Sequence, residues 1–276
     1  MTRSFFDFDE IGVWSELKLE IIQQYGSAYT KAFNKSPRLK KYYIDGFCGA
    51  GRHLSKRDRA VVEGSPARAL NISPPFDGYY FIDLDPEKTD YLRSLCGDRS
   101  DVHIYTGDCN EILTNQVLPK IQFSNYKRAL CLLDPYGLHL DWDVMFRAGQ
   151  SKAVDLVLNF PVMDMNRNAI WKDAEKAPAA GIERMTKFWG DNSWKQAAYA
   201  QSAQGSFFGP EIVKQDNEKI VAAFRKRLRD VAGFSFVPEP LPMKNRTNAV
   251  VYYLFFASQK PVAEKIITDI FRKYRR

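Results

Sequence analysis

The sequence predicts an α/β fold built on an open, mostly parallel sheet, and three observations lead to it. The apolar run Tyr42-Tyr43-Ile44 ends at Asp45 and passes into Gly49 and Gly51, so a strand gives way at once to a turn that can approach a ligand closely. Three further strand-like runs, Gly78 to Asp83, His103 to Asp108 and Arg128 to Asp134, also finish in acids. Fragments with helical periodicity separate them, and open α/β sheets bind ligands outside the carboxyl ends of their strands. The four polar strand ends therefore point to one cleft.

Taken in order, Trp14 to about Phe33 places Leu17, Leu19, Ile21, Ile22 and Tyr25 near helical spacing, which predicts an amphipathic helix laid on the sheet. The first strand follows and ends at Asp45. The basic stretch Arg52 to Arg59 reads as a solvated loop beside the cleft. Ser65-Pro66 reads as an N-cap with proline in the first turn, opening a helix through Leu70. After the second strand, Pro86 starts a helix carrying Tyr91, Leu92 and Leu95. Ala153 to Asn159 is a fifth strand that stops at Asn159-Phe160-Pro161. From about Arg167 to Gly209 the texture changes to Trp, Lys, Ala and Gln, and no strand fits; Trp171, Phe188, Trp189 and Trp194 read as a small local core. Glu211 to Val231 resumes a helix, Asn248 to Ser258 is the most apolar strand, and Val262 to Tyr274 is a closing helix. The expected organisation is one domain, 1–276, with a helical insertion or lid at 165–230.

At 276 residues the chain is long enough for a substantial core. Its four cysteines, Cys48, Cys96, Cys109 and Cys131, show neither paired spacing nor a histidine at metal-ligand distance, so disulfides and metal are not expected. The first residues lack the apolar stretch of a signal peptide, and no run approaches the ~20 apolar residues of a membrane span, so the expected location is cytoplasmic. A formal charge of +7 suits a polyanionic partner such as RNA or DNA, although many soluble proteins carry as much.

The glycine loop lacks the third glycine of the dinucleotide fingerprint, which favours a different cofactor. The segments Tyr43 to Gly51, Gly64 to Leu70, Phe81 to Pro86, Gly107 to Asn110, Leu133 to Gly137, Asn159 to Pro161 and Leu254 to Ser258 together resemble the three-Cys-motif partner protein (TcmP) family, which is class I S-adenosylmethionine-dependent methyltransferase-like. The likeness covers nearly all of the chain except roughly 170–230. A more distant resemblance, through the long segment between Gly51 and Gly64, is to ribosomal RNA adenine-N6 methyltransferases. These resemblances imply a Rossmann-like class I methyltransferase fold: a seven-stranded mixed sheet flanked by helices, with a helical insertion. They also imply S-adenosylmethionine as cofactor, methyl transfer to an amino group such as adenine N6 in RNA or DNA, and a partner protein carrying three cysteines. An accessory subunit that binds the cofactor and acts only with that partner is the alternative. Two departures stand out: Cys48 replaces a common alanine, and Asp134-Pro135-Tyr136 is a shortened Asp-Pro-Pro-Tyr.

On this reading Asp45, Phe47, Cys48, Gly49, Gly51, Ser65, Asp83, Asp85, Asp108 and Cys109 form the cofactor site. Asp83 would grip the ribose, Asp108 would accept from the adenine amine, and free N–H groups at Ser65 would meet the methionine carboxylate. Asp83 and Asp85 equally suit a helix cap before Pro86. Asp134, Pro135 and Tyr136 carry the chemistry, since a planar amine must be held through its N–H groups and Tyr136 offers a stacking face. Arg52, Lys56, Arg57, Arg59, Asn159, Phe160, Pro161 and Arg167 are the candidate substrate contacts.

Overall fold

The computed structural model describes residues 8–34, 36–201, 212–245 and 247–275. The chain opens with a short strand β1 (Glu10–Ile11) and helix α1 (Val13–Phe33), then enters β2 (Lys40–Asp45). A small hairpin, β3 (Arg52–Ser55) and β4 (Val61–Glu63), precedes α2 (Ser65–Leu70). Next come β5 (Gly78–Asp83), α3 (Pro86–Cys96), β6 (Val102–Thr106), α4 (Cys109–Ile112) and β7 (Lys127–Leu133). Then follow α5 (Trp142–Gln150), β8 (Val154–Phe160), α6 (Val162–Asn168), α7 (Ala179–Trp189), α8 (Trp194–Ala198), β9 (Tyr199–Gln201) and β10 (Ile212–Lys214). The chain closes with α9 (Asn217–Asp230), β11 (Leu241–Lys244), β12 (Val250–Ala257) and α10 (Pro261–Tyr274).

Seven strands form one sheet in the order β11-β12-β8-β7-β2-β5-β6. The pairs β2–β5, β5–β6, β2–β7 and β7–β8 are parallel, while β12 runs antiparallel to both β8 and β11. This is the Rossmann-like, seven-stranded mixed sheet that the resemblance implies. Both faces are covered, so adjacent strand residues alternate between two cores. Tyr43, Phe81, Leu132 and Phe256 point to the side of α1, α2, α3 and α10. Ile44, Ile82, Leu133 and Phe255 point to the side of α4 through α9. Strand order reverses at β2, whose neighbours are β5 on one side and β7 on the other, and this is where such sheets leave a crevice.

Three local expectations are corrected. The stretch 52–59 is not simply a loop: Arg52–Ser55 pairs with β4 and with β1, because His53 and Leu54 supply an alternation that the flanking arginines mask. The N-cap of α2 is Gly64, with Ser65 already inside the helix and making no capping bond, because Gly64 carries the extended backbone. A strand does occur within 167–209, since Tyr199–Gln201 pairs antiparallel with Ile212–Lys214; the latter also delays the following helix to Asn217. Of the residues expected to form a small local core, Phe188, Trp189 and Trp194 are buried and join the core on one face of the sheet, while Trp171 is exposed. No helix among the described residues is long and apolar enough to cross a membrane.

Candidate functional site

Two cavities open at the carboxyl ends of the central strands. The first, about 480 Å³, is lined by Gly46 and Phe47 after β2, Asp83 and Leu84 at the end of β5, Gly107 to Asn110 after β6, and Tyr136, Leu138 and His139. Arg184 and Lys187 of α7 complete its wall. The second, about 460 Å³, is lined by Cys48, Gly49, His53, Ser65, Asp134, Pro135 and Asn159, with Lys18 of α1 and Tyr252 of β12. Phe47 and Tyr136 line both cavities, so these rings stand between them.

The glycine loop leaves β2 with Gly49 at φ +60° and Gly51 at φ +78°, a region that L side chains rarely adopt. Its path is fixed by Gly46 N–H donating to the Leu132 carbonyl (3.0 Å) and Cys48 N–H to that of Ile82 (2.9 Å). A side chain at Gly46 would stand 2.7 Å from Cys109 Sγ and 2.8 Å from Leu133, which explains glycine at that floor. Cys48 and Cys109 are both buried, and burial raises both thiols, so they pack rather than react.

The acids divide by role. Asp83 accepts Gly49 N–H at 2.8 Å and Asp85 N–H at 3.0 Å, tying the glycine loop to the end of β5 while its remaining lone pairs border the first cavity. Asp85 caps α3 by accepting Glu87 N–H at 2.9 Å and lines neither cavity. Asp108 caps α4 through Asn110 N–H at 2.6 Å and Glu111 N–H at 3.3 Å, and it does line the first cavity. Asp45 is wholly buried and lines neither cavity: Oδ1 accepts Phe47 N–H at 3.3 Å, Oδ2 makes no hydrogen bond of good geometry, and burial pushes the carboxyl up to about 7 against the opposing pull of the nearby Ser65 hydroxyl and Phe47 N–H.

Asp134 lines the second cavity. Its Oδ2 is ion-paired to the Lys18 ammonium, and its Oδ1 accepts Asn159 Nδ2 at 2.7 Å. The Asn159 Oδ1 is buried without a partner. Lys18 is only 6% exposed and lies 5.6 Å from the centre of the Tyr252 ring. His53 lines the same cavity; burial lowers its pKa, and its Nδ1 is buried without a partner. Tyr136 is 65% exposed, lies under the Lys88 ammonium, and shares Asp9 with it: Lys88 donates at 2.6 Å and the Tyr136 hydroxyl at 3.4 Å.

The other candidate contacts lie apart from both cavities. Phe160 is a core residue packed on Phe224 and Phe255, and Pro161 is buried beside it. Arg167 is exposed on α6. Arg59 pairs with Glu10 and Arg57 with Asp58, while Arg52 and Lys56 are exposed on the hairpin, with no ion pair among the described residues. Sequence reading passed over Lys18, His53, Tyr252, Arg184 and Lys187. Lys18 alone left a trace in the sequence, a charge on the apolar face of its helix, though nothing there names its partner.

No family model matches the sequence, and no curated protein matches it. Among solved structures, the chain is similar to protein LPL1258 from Legionella pneumophila str. Philadelphia 1, with 11% identity, 93% of this chain and 92% of that chain covered, and a TM-score of 0.47. It is also similar to the N-methyltransferase NodS from Bradyrhizobium japonicum WM9 in complex with S-adenosyl-L-homocysteine, with 11% identity, 90% and 89% covered, and a TM-score of 0.41.

Proposed function

We propose that this chain is an S-adenosylmethionine-dependent methyltransferase acting on an exocyclic amine, adenine N6 in single-stranded RNA or DNA. The observation that carries the reading is the Asp134–Asn159 pair: two neighbouring acceptor groups, one with a buried unpartnered oxygen, across the Phe47–Tyr136 wall from an adenosine-sized cavity. The residues present fit the cofactor. Asp83 offers acceptors to a ribose, Asp108 borders the adenine end, and Gly46 lets backbone approach. The unpartnered oxygen of Asp45 suits an ammonium. When bound, S-adenosylmethionine supplies an activated methyl group.

What the protein adds is positioning and polarity. Asp134, the Pro135 carbonyl and Asn159 Oδ1 hold the amine through its N–H groups, which directs the nitrogen lone pair toward the first cavity. Phe47 and Tyr136 exclude water between donor and acceptor, and the exposed face of Tyr136 supports a stacked base. The helical insertion serves as a wall through Arg184 and Lys187. Calorimetric binding of the cofactor, together with labelled methyl transfer to RNA and DNA fractions, tests the reading; failure to bind either the cofactor or its demethylated product overturns it.

Both oxygens of Asp134 are already engaged, and this favours a second reading, the accessory subunit that works with a three-cysteine partner. Asp134→Ala separates the two. An enzyme keeps its cofactor affinity and loses about a hundredfold in single-turnover rate, as when one placed polar group leaves an active site. An accessory subunit shows no rate change.

A further inference from the structure

We infer that Lys18 and Asp134 act as a pair that reads a donor–acceptor edge of a nucleobase: Asp134 takes an N–H of the amine and the Lys18 ammonium donates to the adjacent ring nitrogen. The inference rests on the amine-methylation reading above and names the contacts that would recognise its acceptor, an edge pattern that adenine shares with cytosine. Lys18 is on the buried face of α1, and its one hydrogen bond among the described residues goes to Asp134. An ammonium has three N–H donors, so two remain without a hydrogen-bonding partner on a side chain that is 6% exposed. The Tyr252 ring meets the charge from one side but replaces no acceptor. Buried donors on a cation are costly to leave unpaired, and the cavity beside them is lined by Lys18 and Asp134 alike.

The acceptor side is incomplete in the complementary sense. Asn159 spends its Nδ2 on Asp134 and keeps a buried oxygen with no donor. A matching ligand brings two N–H donors for Asp134 and Asn159 and an adjacent acceptor for one of the two free Lys18 donors. The Watson–Crick edges of adenine and cytosine carry this pattern, an amine beside an unprotonated ring nitrogen. Guanine and uracil present a ring N–H on that edge, which the ammonium repels, and a lysine amine brings no neighbouring acceptor.

Initial rates of methyl transfer by the full chain to matched single-stranded oligonucleotides decide the question. The substrates carry adenine, 1-deazaadenine, cytosine or 3-deazacytosine; each deaza base keeps the amine and replaces the ring acceptor with C–H. The expected result is a loss of about ten- to a hundredfold in kcat/KM for the deaza base with the wild-type chain, the scale of one hydrogen bond to a charged group. With Lys18→Met the same comparison shows little further loss, because donor and acceptor belong to one interaction. Equal rates for adenine and 1-deazaadenine in the wild type overturn the inference and leave the methyltransferase reading standing. Transfer to cytosine alone corrects the base, and the comparison with 3-deazacytosine then decides. Transfer to none of them overturns both. If Lys18→Met does not fold, the wild-type comparison is sufficient.

Discussion

Asp45 is a carboxyl with no exposed surface, one unpartnered oxygen and a pKa pushed up to about 7, chiefly by burial and further by the nearby charges of Asp134 and Asp83. Its folded value lies above its ordinary 3.8, so its contribution to stability is present at low pH and lost as pH rises toward about 7. A cationic ligand reverses the preference, because it needs the ionised form. Asp45→Asn is therefore expected to raise the melting temperature of the ligand-free protein at about pH 8 while changing it little at about pH 4. In the wild type, affinity for S-adenosylmethionine should fall as pH drops below about 7, and the variant should bind weakly with a flat profile. Thermal melts and calorimetry across this range check both; a variant that keeps the wild-type pH slope assigns the titration to another group. The sequence made Asp45 visible because it ends a strand ahead of two glycines. Lys18 was legible only in hindsight: it shares a face with Ile21, Ile22, Tyr25 and Tyr29, where a charge needs a partner, but the partner lies 116 residues away. His53 sat inside a run of arginines and lysines that read as one solvated feature.

At the scale of elements, α7 reaches the first cavity only because α6 and α7 approach very closely. A Cβ at Gly181 would fall 1.7 Å from the Asn168 carbonyl oxygen, and Gly181 is buried at the start of α7. Gly181→Ala must push α7 outward, carrying Arg184 and Lys187 with it. The expected cost is about 1–3 kcal/mol of stability, the usual range for overpacking, and a loss of cofactor affinity despite the distance from the glycine loop. Chemical denaturation with parallel calorimetry tests this; an unchanged midpoint means that α6 and α7 slide apart freely. None of this approach was visible in advance, since the contact joins two helices in a segment with weak periodicity. The elements that were legible are those with one dominant signal. The strands β2, β5, β6 and β7 end at or just before polar residues, and Pro86 marks the start of α3. The hairpin β3–β4 and the strands β9 and β10 were not, because three or four residues of mixed polarity carry too few alternations to identify a strand.

At the scale of the whole molecule the charge is unevenly placed. The net +7 coexists with a cleft whose walls carry Asp9, Asp83, Asp108 and Asp134, so phosphates are better held outside it than within. The β3–β4 hairpin borders that cleft through His53 and offers the nearest cations identified by sequence. They are not equivalent. Arg57 and Arg59 already face Asp58 and Glu10, whereas Arg52 and Lys56 pair with no acid among the described residues. Binding to single-stranded RNA or DNA should weaken linearly on a plot of log affinity against log salt, with a slope of about −0.7 for each phosphate contacted. Replacing Arg52 and Lys56 with glutamine should flatten that slope by about 1.4, two contacts' worth. Replacing Arg57 and Arg59 should change the slope less, because each is shared with a carboxylate before any phosphate arrives. Fluorescence titrations of a labelled single strand at several salt concentrations distinguish the pairs. If the Arg57 and Arg59 variant flattens the slope more, the two ion pairs open on binding. If neither pair changes it, the hairpin makes no phosphate contact, and the polyanion is held elsewhere on the basic surface.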